Sequence, residues 1–183
     1  MPVNAPNNNL DILAPSFNIK NIDNKTISLD EAKGKNGTIV VFICNHCPYV
    51  KAIATRLKKD SDELFNHSIN TIAIMSNDVV NYPDDSFENM KIFSQKNNFN
   101  FPYLYDESQQ IAKLYGAVCT PDFFGFDKDL KLKYRGRIDS GIMHSNKNDP
   151  IKRELFDAMI KIKDEGVGPK EQINSIGCSI KWK

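Results

Sequence analysis

Two unbroken apolar runs dominate the hydrophobic pattern of the chain. Residues 38–43 (TIVVFI) and 69–75 (INTIAIM) carry no charged side chain and are rich in β-branched types. Runs of this length without polar alternation predict strands buried on both faces. Between them, Val50, Ile53, Leu57, Leu64 and Phe65 recur at roughly helical spacing, with Lys and Asp opposite, so a helix is expected from near Cys47. Strand, crossover helix and strand in this order imply a right-handed parallel unit.

The flanks give weaker patterns. Residues 17–19 and 26–29 predict two short extended pieces with an Asn/Asp turn between them, and the run from Gly34 to Gly37 marks a break. Asp85 and Glu88 have the spacing of a capping box, opening a helix through about Asn97. A short extended piece is expected at 103–105, and a short helix from Ser108 to a C-cap at Gly116. Residues 123–126 and 132–134 flank Lys128-Asp129 as an antiparallel hairpin. Asp149-Pro150 predicts an N-cap and first-turn proline for a helix lined by Ile151, Leu155, Met159 and Ile162 and stopped by Gly166. The fold class expected is α/β, with a central mixed β-sheet flanked by helices on both faces. One domain over 12–166 is expected, with a flexible Asn- and Pro-rich arm at 1–11 and a tail at 167–183 packed on or near it.

Composition narrows the function. With 183 residues the chain can bury roughly 70% of its unfolded surface and needs no disulfide staples. Lys and Arg number 24 against 23 Asp and Glu, a balance that provides no field for a phosphate backbone and argues against nucleic-acid binding. No apolar run approaches the 18 or so residues of a membrane span. The N-terminus, MPVNAPNNNLDILAPSF, has neither a basic n-region nor a continuous apolar stretch, so a cytoplasmic protein is expected.

The candidate chemistry lies in the cysteines. Of Cys44, Cys47, Cys119 and Cys178, the first two form C-N-H-C where the first buried strand gives way to its helix. In a cytosolic chain with a β-α-β pattern, such a pair indicates a redox dithiol. Free amides and the positive end of the helix dipole favour an anion there, lowering a thiol from about 8.5 toward the 3.5–7.5 range. His46 and Asn45 lie between the sulfurs; a charged His46 favours the thiolate further, and Pro48 fits the first helical turn. Cys44, the outer sulfur, is expected to attack a partner disulfide, and Cys47 to resolve the mixed disulfide. The competing readings are an inert thiol pair and half of a zinc site, but no second C-x-x-C supplies further ligands, so no metal and no bound cofactor are expected. Thr120-Pro121, just before the strand FFGF, is a candidate cis peptide, with an ordinary trans turn as the plainer alternative.

VVFICNHCPYV, followed after a long insert by GAVCTPDFFGFD, resembles the thioredoxin superfamily. The nearer likeness is to its redoxin branch, akin to the alkyl hydroperoxide reductase and TlpA-like proteins, over about residues 10–183. The resemblance implies that Cys44 and Cys47 are the redox centre. It also implies that Thr120 and Pro121 form a cis-proline element facing the dithiol, and that the backbone before the proline pairs with the substrate as an added strand. The motif departs from thioredoxin's C-G-P-C, Ile43 replaces the usual Trp, and Thr38 stands where thioredoxin has a buried acid, which leaves proton handling to His46 or water. The peroxiredoxin pattern P-x-x-x-[ST]-x-x-C is absent, since position 41 is Val and position 37 is Gly.

The function expected is thiol–disulfide exchange with protein or low-molecular-weight thiols and an unidentified redox partner. The alternatives are a peroxiredoxin-like thiol peroxidase and a non-enzymatic binding module. Cys119, two residues before Pro121, is a possible accessory thiol whose plainer reading is packing. Cys178, in the tail near Trp182, is expected to be a free cysteine, with contact to another thiol as the alternative. Asp122, Arg137 and Asp139 are candidate substrate or structural contacts, the plainer reading of R-G-R-I-D at 135–139 being a strand-end turn with a solvated charge pair, and His67 and His144 are expected to be solvated surface residues.

Overall fold

The computed structural model describes residues 2–6, 10–141 and 150–183. The strands are β1 (Pro2–Asn4), β2 (Asn18–Asn21), β3 (Thr26–Ser28), β4 (Gly37–Phe42), β5 (Ile69–Met75), β6 (Tyr103–Tyr105), β7 (Cys119–Thr120), β8 (Asp122–Phe126), β9 (Leu132–Gly136) and β10 (Ile176–Ser179). The helices are α1 (Leu29–Ala32), α2 (Pro48–Phe65), α3 (Phe87–Lys96), α4 (Gln110–Tyr115) and α5 (Glu154–Glu165).

The main sheet has the order β3-β2-β6-β5-β4-β8-β9. Pairing is parallel for β4 with β5 and β5 with β6, and antiparallel at β4–β8, β8–β9 and β2–β6, so the sheet is mixed. The apolar run of β4 explains its central place: every residue is buried, and its side chains serve two cores in alternation. Ile39 and Val41 pack with α2, α3 and α5, while Val40 and Phe42 pack with α1 and α4 on the other face. Val50, Ile53, Leu57 and Leu64 form the buried stripe of α2, each stabilising by roughly 1.5–3 kcal/mol.

Three boundaries differ from the sequence pattern. Asp85 does not cap α3. It ends a short 3₁₀ turn (Pro83–Asp85), and Ser86 is the N-cap, its hydroxyl accepting from the Asn89 amide. α5 starts at Glu154 rather than at Pro150, after Arg153, whose guanidinium donates to Asp60 and Glu63 of α2. Ile151 therefore precedes the helix; Asp149 and His144 lie outside the described residues. Residues 2–4 of the arm are strand β1, paired with β10, because the tail offers it an open edge.

Tail and arm also lace the outer edge of β9. The amides of Asp11, Arg135 and Arg137 donate to Leu132 O, Gln172 Oε1 and Ile173 O, and that of Leu132 to Ile12 O. Most important for the site, β10 pairs antiparallel with β7, Cys178 opposite Thr120 and Ser179 opposite Cys119. The approach at Gly177 is so close that a Cβ there would sit 1.9 Å from the Thr120 carbonyl oxygen. Replacing Gly177 with Ala should therefore push β10 off β7, destabilising the fold by about 1–3 kcal/mol. Limited proteolysis should then cut within 167–176 faster than in the parent; unchanged cleavage would contradict the packing.

Candidate active site

Cys44 follows the end of β4, and Cys47 is the N-cap of α2, with Pro48 in the first turn. Strand and helix thus hold the two sulfurs at their junction, and both cysteines are buried, at 1% and 0% exposure. The Thr120–Pro121 peptide is cis, and Thr120 faces both sulfurs. Its hydroxyl is 3.3 Å from Cys44 Sγ, and its carbonyl oxygen 3.2 Å from Cys47 Sγ.

Each sulfur has its own electrostatic surroundings. The Cys44 thiol donates to the Cys47 sulfur, which pushes Cys44 well above the usual thiol range; burial and the nearby Asp85 charge push the same way. Cys47 is held down to about 5, first by that same bond from Cys44, then by the thiol and amide of Cys178 and the amide of Val50. The charge of the pair therefore rests more easily on Cys47 than on Cys44, chiefly because the Cys44 thiol donates to the Cys47 sulfur. Cys44 also finds a donor for its anion, because the Thr120 hydroxyl lowers its pKa. In the alternative arrangement, with the proton on Cys47, that thiol donates to the Thr120 carbonyl oxygen and the Cys44 anion accepts from the Thr120 hydroxyl.

The loop between the cysteines is fixed by Asp85, a residue the sequence pattern had assigned elsewhere. Its buried carboxylate accepts from the amides of Asn45 (2.7 Å) and His46 (3.2 Å), from His46 Nδ1 (2.6 Å) and from Asn77 Nδ2 (2.7 Å). Asn45 is held further by the Tyr103 hydroxyl at 2.9 Å. Thr38 makes only a structural contact, accepting from the Gly34 amide, so the buried acid beside the dithiol comes from the segment after β5 instead. The usable signal was the pair Asp85-Ser86: Ser86 suffices as a cap, which leaves a second acid for another task.

His46 is a quarter exposed and stacks near Tyr82, with ring centroids 6.2 Å apart. Its Nδ1 faces both Asp85 and, at 3.9 Å, Cys44 Sγ. Because one nitrogen serves both, His46 is positioned to place its Nδ1 proton between carboxylate and sulfur, not to relay a proton from one nitrogen to the other. Cys44 Sγ, His46 Nδ1 and an Asp85 oxygen lie within 4.8 Å of one another and could hold a metal ion. Ligation would first have to break the His46–Asp85 bond.

The other candidates fall outside the reacting group. Cys119 is buried and pushed up to about 12, chiefly by desolvation, so it stays a protonated packing thiol. Asp122, Arg137 and Asp139 are not solvated: they pair with Arg135, Glu154 and Arg56, and Asp122 and Asp139 are buried. His67 is exposed at the end of α2, as expected. Cys178, by contrast, is not a loose tail residue, since β10 seats it opposite Thr120 and against the cluster that holds Cys44 and Cys47. Consequently the edge of β7 expected to receive a substrate strand is already filled by the chain's own β10.

A mixed sheet covered by helices on both faces, a C-x-x-C at a strand–helix junction and a facing Thr-Pro element define a thioredoxin-like protein of the redoxin branch. The chain belongs to the AhpC/TSA family, whose pattern matches residues 12–135. It is 28% identical to the thiol-disulfide oxidoreductase ResA of Bacillus thuringiensis over 126 residues, 65% of this chain and 64% of that sequence. It is 31% identical over 111 residues to the chloroplastic peroxiredoxin Q of Populus jackii, covering 61% of this chain and 47% of that one. The chain thus spans less than two thirds of either relative. Among solved structures, an uncharacterized conserved protein from Geobacillus kaustophilus is 40% identical with a TM-score of 0.93, covering 100% of this chain and 97% of that one. A hypothetical protein from Sinorhizobium meliloti is 31% identical with a TM-score of 0.92, covering 98% of each chain. The thioredoxin domain of a thiol-disulfide oxidoreductase from Bacteroides vulgatus shares the fold at 16% identity, over 70% of this chain and 89% of that one, with a TM-score of 0.60.

Proposed function

We propose that this chain is a thiol–disulfide oxidoreductase in which Cys44 and Cys47 cycle between dithiol and disulfide. The observation that carries this reading is the shared contact of both sulfurs with Thr120, whose hydroxyl can donate to a Cys44 thiolate while its carbonyl oxygen accepts from a Cys47 thiol. With the proton on Cys47, whose thiol donates to Thr120 O, the Cys44 thiolate accepts from the Thr120 hydroxyl and attacks a substrate disulfide. The substrate S–S bond breaks, one substrate thiolate leaves and takes up a proton, and Cys44 carries the mixed disulfide. Cys47 then gives up its proton and attacks the Cys44 sulfur, closing the Cys44–Cys47 disulfide and releasing the second substrate thiolate. Low pKa at Cys47 suits this second step, because its donors stabilise the anion. Protein disulfides or small thiols are the substrate class, and residence in the cytoplasm belongs to the same proposal.

The relative named peroxiredoxin Q supports a second reading, a thiol-dependent peroxidase. The two separate in one experiment. With a dithiol donor present, the protein should reduce a protein disulfide such as insulin's and consume hydrogen peroxide no faster than free dithiol does. Peroxide-dependent turnover, with sulfenic acid captured on Cys44, would reverse the assignment.

A further inference from the structure

A third cysteine lies in contact with the redox pair, and the tail strand that carries it occupies the edge where an incoming substrate strand would pair. Cys178 sits opposite Thr120 on β10, and Thr120 is the residue that touches both Cys44 and Cys47. Cys178 packs against the same buried cluster as the pair, near enough to Cys47 to help hold that sulfur's pKa down. β10 is held firmly in this place. The Ile180 amide donates to Val118 O at 2.9 Å and the Lys181 amide to Asn77 Oδ1 at 2.9 Å, and Asn77 in turn donates to Asp85. Cys178 is also the partly exposed member of the trio, whereas Cys44 and Cys47 are closed off from solvent.

We propose that Cys178 is a third redox cysteine that passes the disulfide between the buried Cys44–Cys47 pair and an external dithiol. The reading rests on the proposed redox role of that pair. Once the Cys44–Cys47 disulfide has formed, Cys178 is relieved of the Cys47 charge that, after burial, holds its thiol up at about 11, and its thiolate attacks the Cys47 sulfur. The Cys47–Cys178 bond forms, the Cys44–Cys47 bond breaks, and Cys44 leaves as a thiolate that takes up the proton Cys178 lost. The exchange relocates one disulfide with no net transfer of electrons. An external dithiol then supplies two electrons: one of its thiolates attacks the partly exposed Cys178 and releases Cys47, and its second thiol resolves the mixed disulfide on Cys178. In this scheme β10 acts as a built-in substrate strand, and Cys178 stands where a substrate cysteine would stand.

The full chain tests this directly. Wild-type protein is oxidised with a small disulfide, quenched by alkylation and mapped as non-reduced peptides. Both the Cys44–Cys47 and the Cys47–Cys178 linkages are expected, and the Cys44→Ser variant should form Cys47–Cys178 under the same treatment. Alkylated Cys178 throughout, with Cys44–Cys47 the sole linkage, would overturn the relay while leaving the proposed function intact. Absence of a Cys44–Cys47 linkage would overturn the function itself. As a second measurement, Cys178→Ser and Cys178→Ala should be reduced by a protein dithiol at least tenfold more slowly than wild type, with the Cys44–Cys47 disulfide still forming. Reduction at the wild-type rate in both variants would refute the relay.

Discussion

Replacing Cys44 with Ser is expected to abolish reduction of protein disulfides, by at least about a hundredfold, while leaving the fold intact. The size follows from the chemistry. A serine hydroxyl at this position is not ionised near neutral pH, and the covalent route through a mixed disulfide disappears with the sulfur. The fold should tolerate the change because the hydroxyl can keep the contact that Cys44 Sγ makes with the Thr120 side chain at 3.3 Å. Cys47→Ser should give a different outcome: attack still occurs, but the mixed disulfide on Cys44 persists and can be isolated with its substrate. Turnover and trapped species can be read in one insulin-reduction assay followed by mass spectrometry. Full turnover by Cys44→Ser would end the assignment of that sulfur as the attacking one.

The second large effect belongs to Asp85. Removing its side chain in Asp85→Ala leaves the amides of Asn45 and His46 without their acceptor in the loop between the cysteines. A buried donor left unsatisfied costs about 1–3 kcal/mol, so a loss of about 3–5 kcal/mol is expected once the His46 and Asn77 bonds are included. Thermal or denaturant unfolding measures it. The milder Asp85→Asn keeps an oxygen for the two amides and removes the charge, at the cost of the Asn77 bond, since its amide nitrogen would face the Asn77 Nδ2 donor. The sign is fixed by the structure. The Asp85 charge pushes Cys44 upward, so its neutralisation makes the Cys44 thiolate easier to form. The pH profile for alkylation of Cys44 should therefore move to lower pH in Asp85→Asn. A shift to higher pH would show that holding His46 near the sulfur matters more than the carboxylate's repulsion.

The placement of the cysteine pair was legible because strand, C-x-x-C and helix are contiguous along the chain. The buried strands β4 and β5 were legible for a related reason: an apolar run served by two cores has no other place in a sheet. Asp85 escaped because its partners are the amides of residues 45 and 46, far away along the chain, whereas Glu88 offered a nearby explanation. β10 escaped because Gly-Cys-Ser has no apolar alternation; its pairing is specified by the bare Cα of Gly177 meeting the Thr120 carbonyl. The start of α5 was misplaced because Arg153 is anchored through side chains of α2, a tertiary tie stronger than the local preference of Pro150.

The lacing of β9 bears on how molecules of this protein meet one another. A strand at the border of a sheet normally offers a row of unsatisfied amides and carbonyls to any neighbouring molecule, which is how many chains aggregate. Here residues 11–12 on one stretch and 172–173 on the other already occupy those groups, and at the opposite border β3 is only three residues long. Concentrated solutions should therefore resist fibril growth by extension of the seven-stranded sheet.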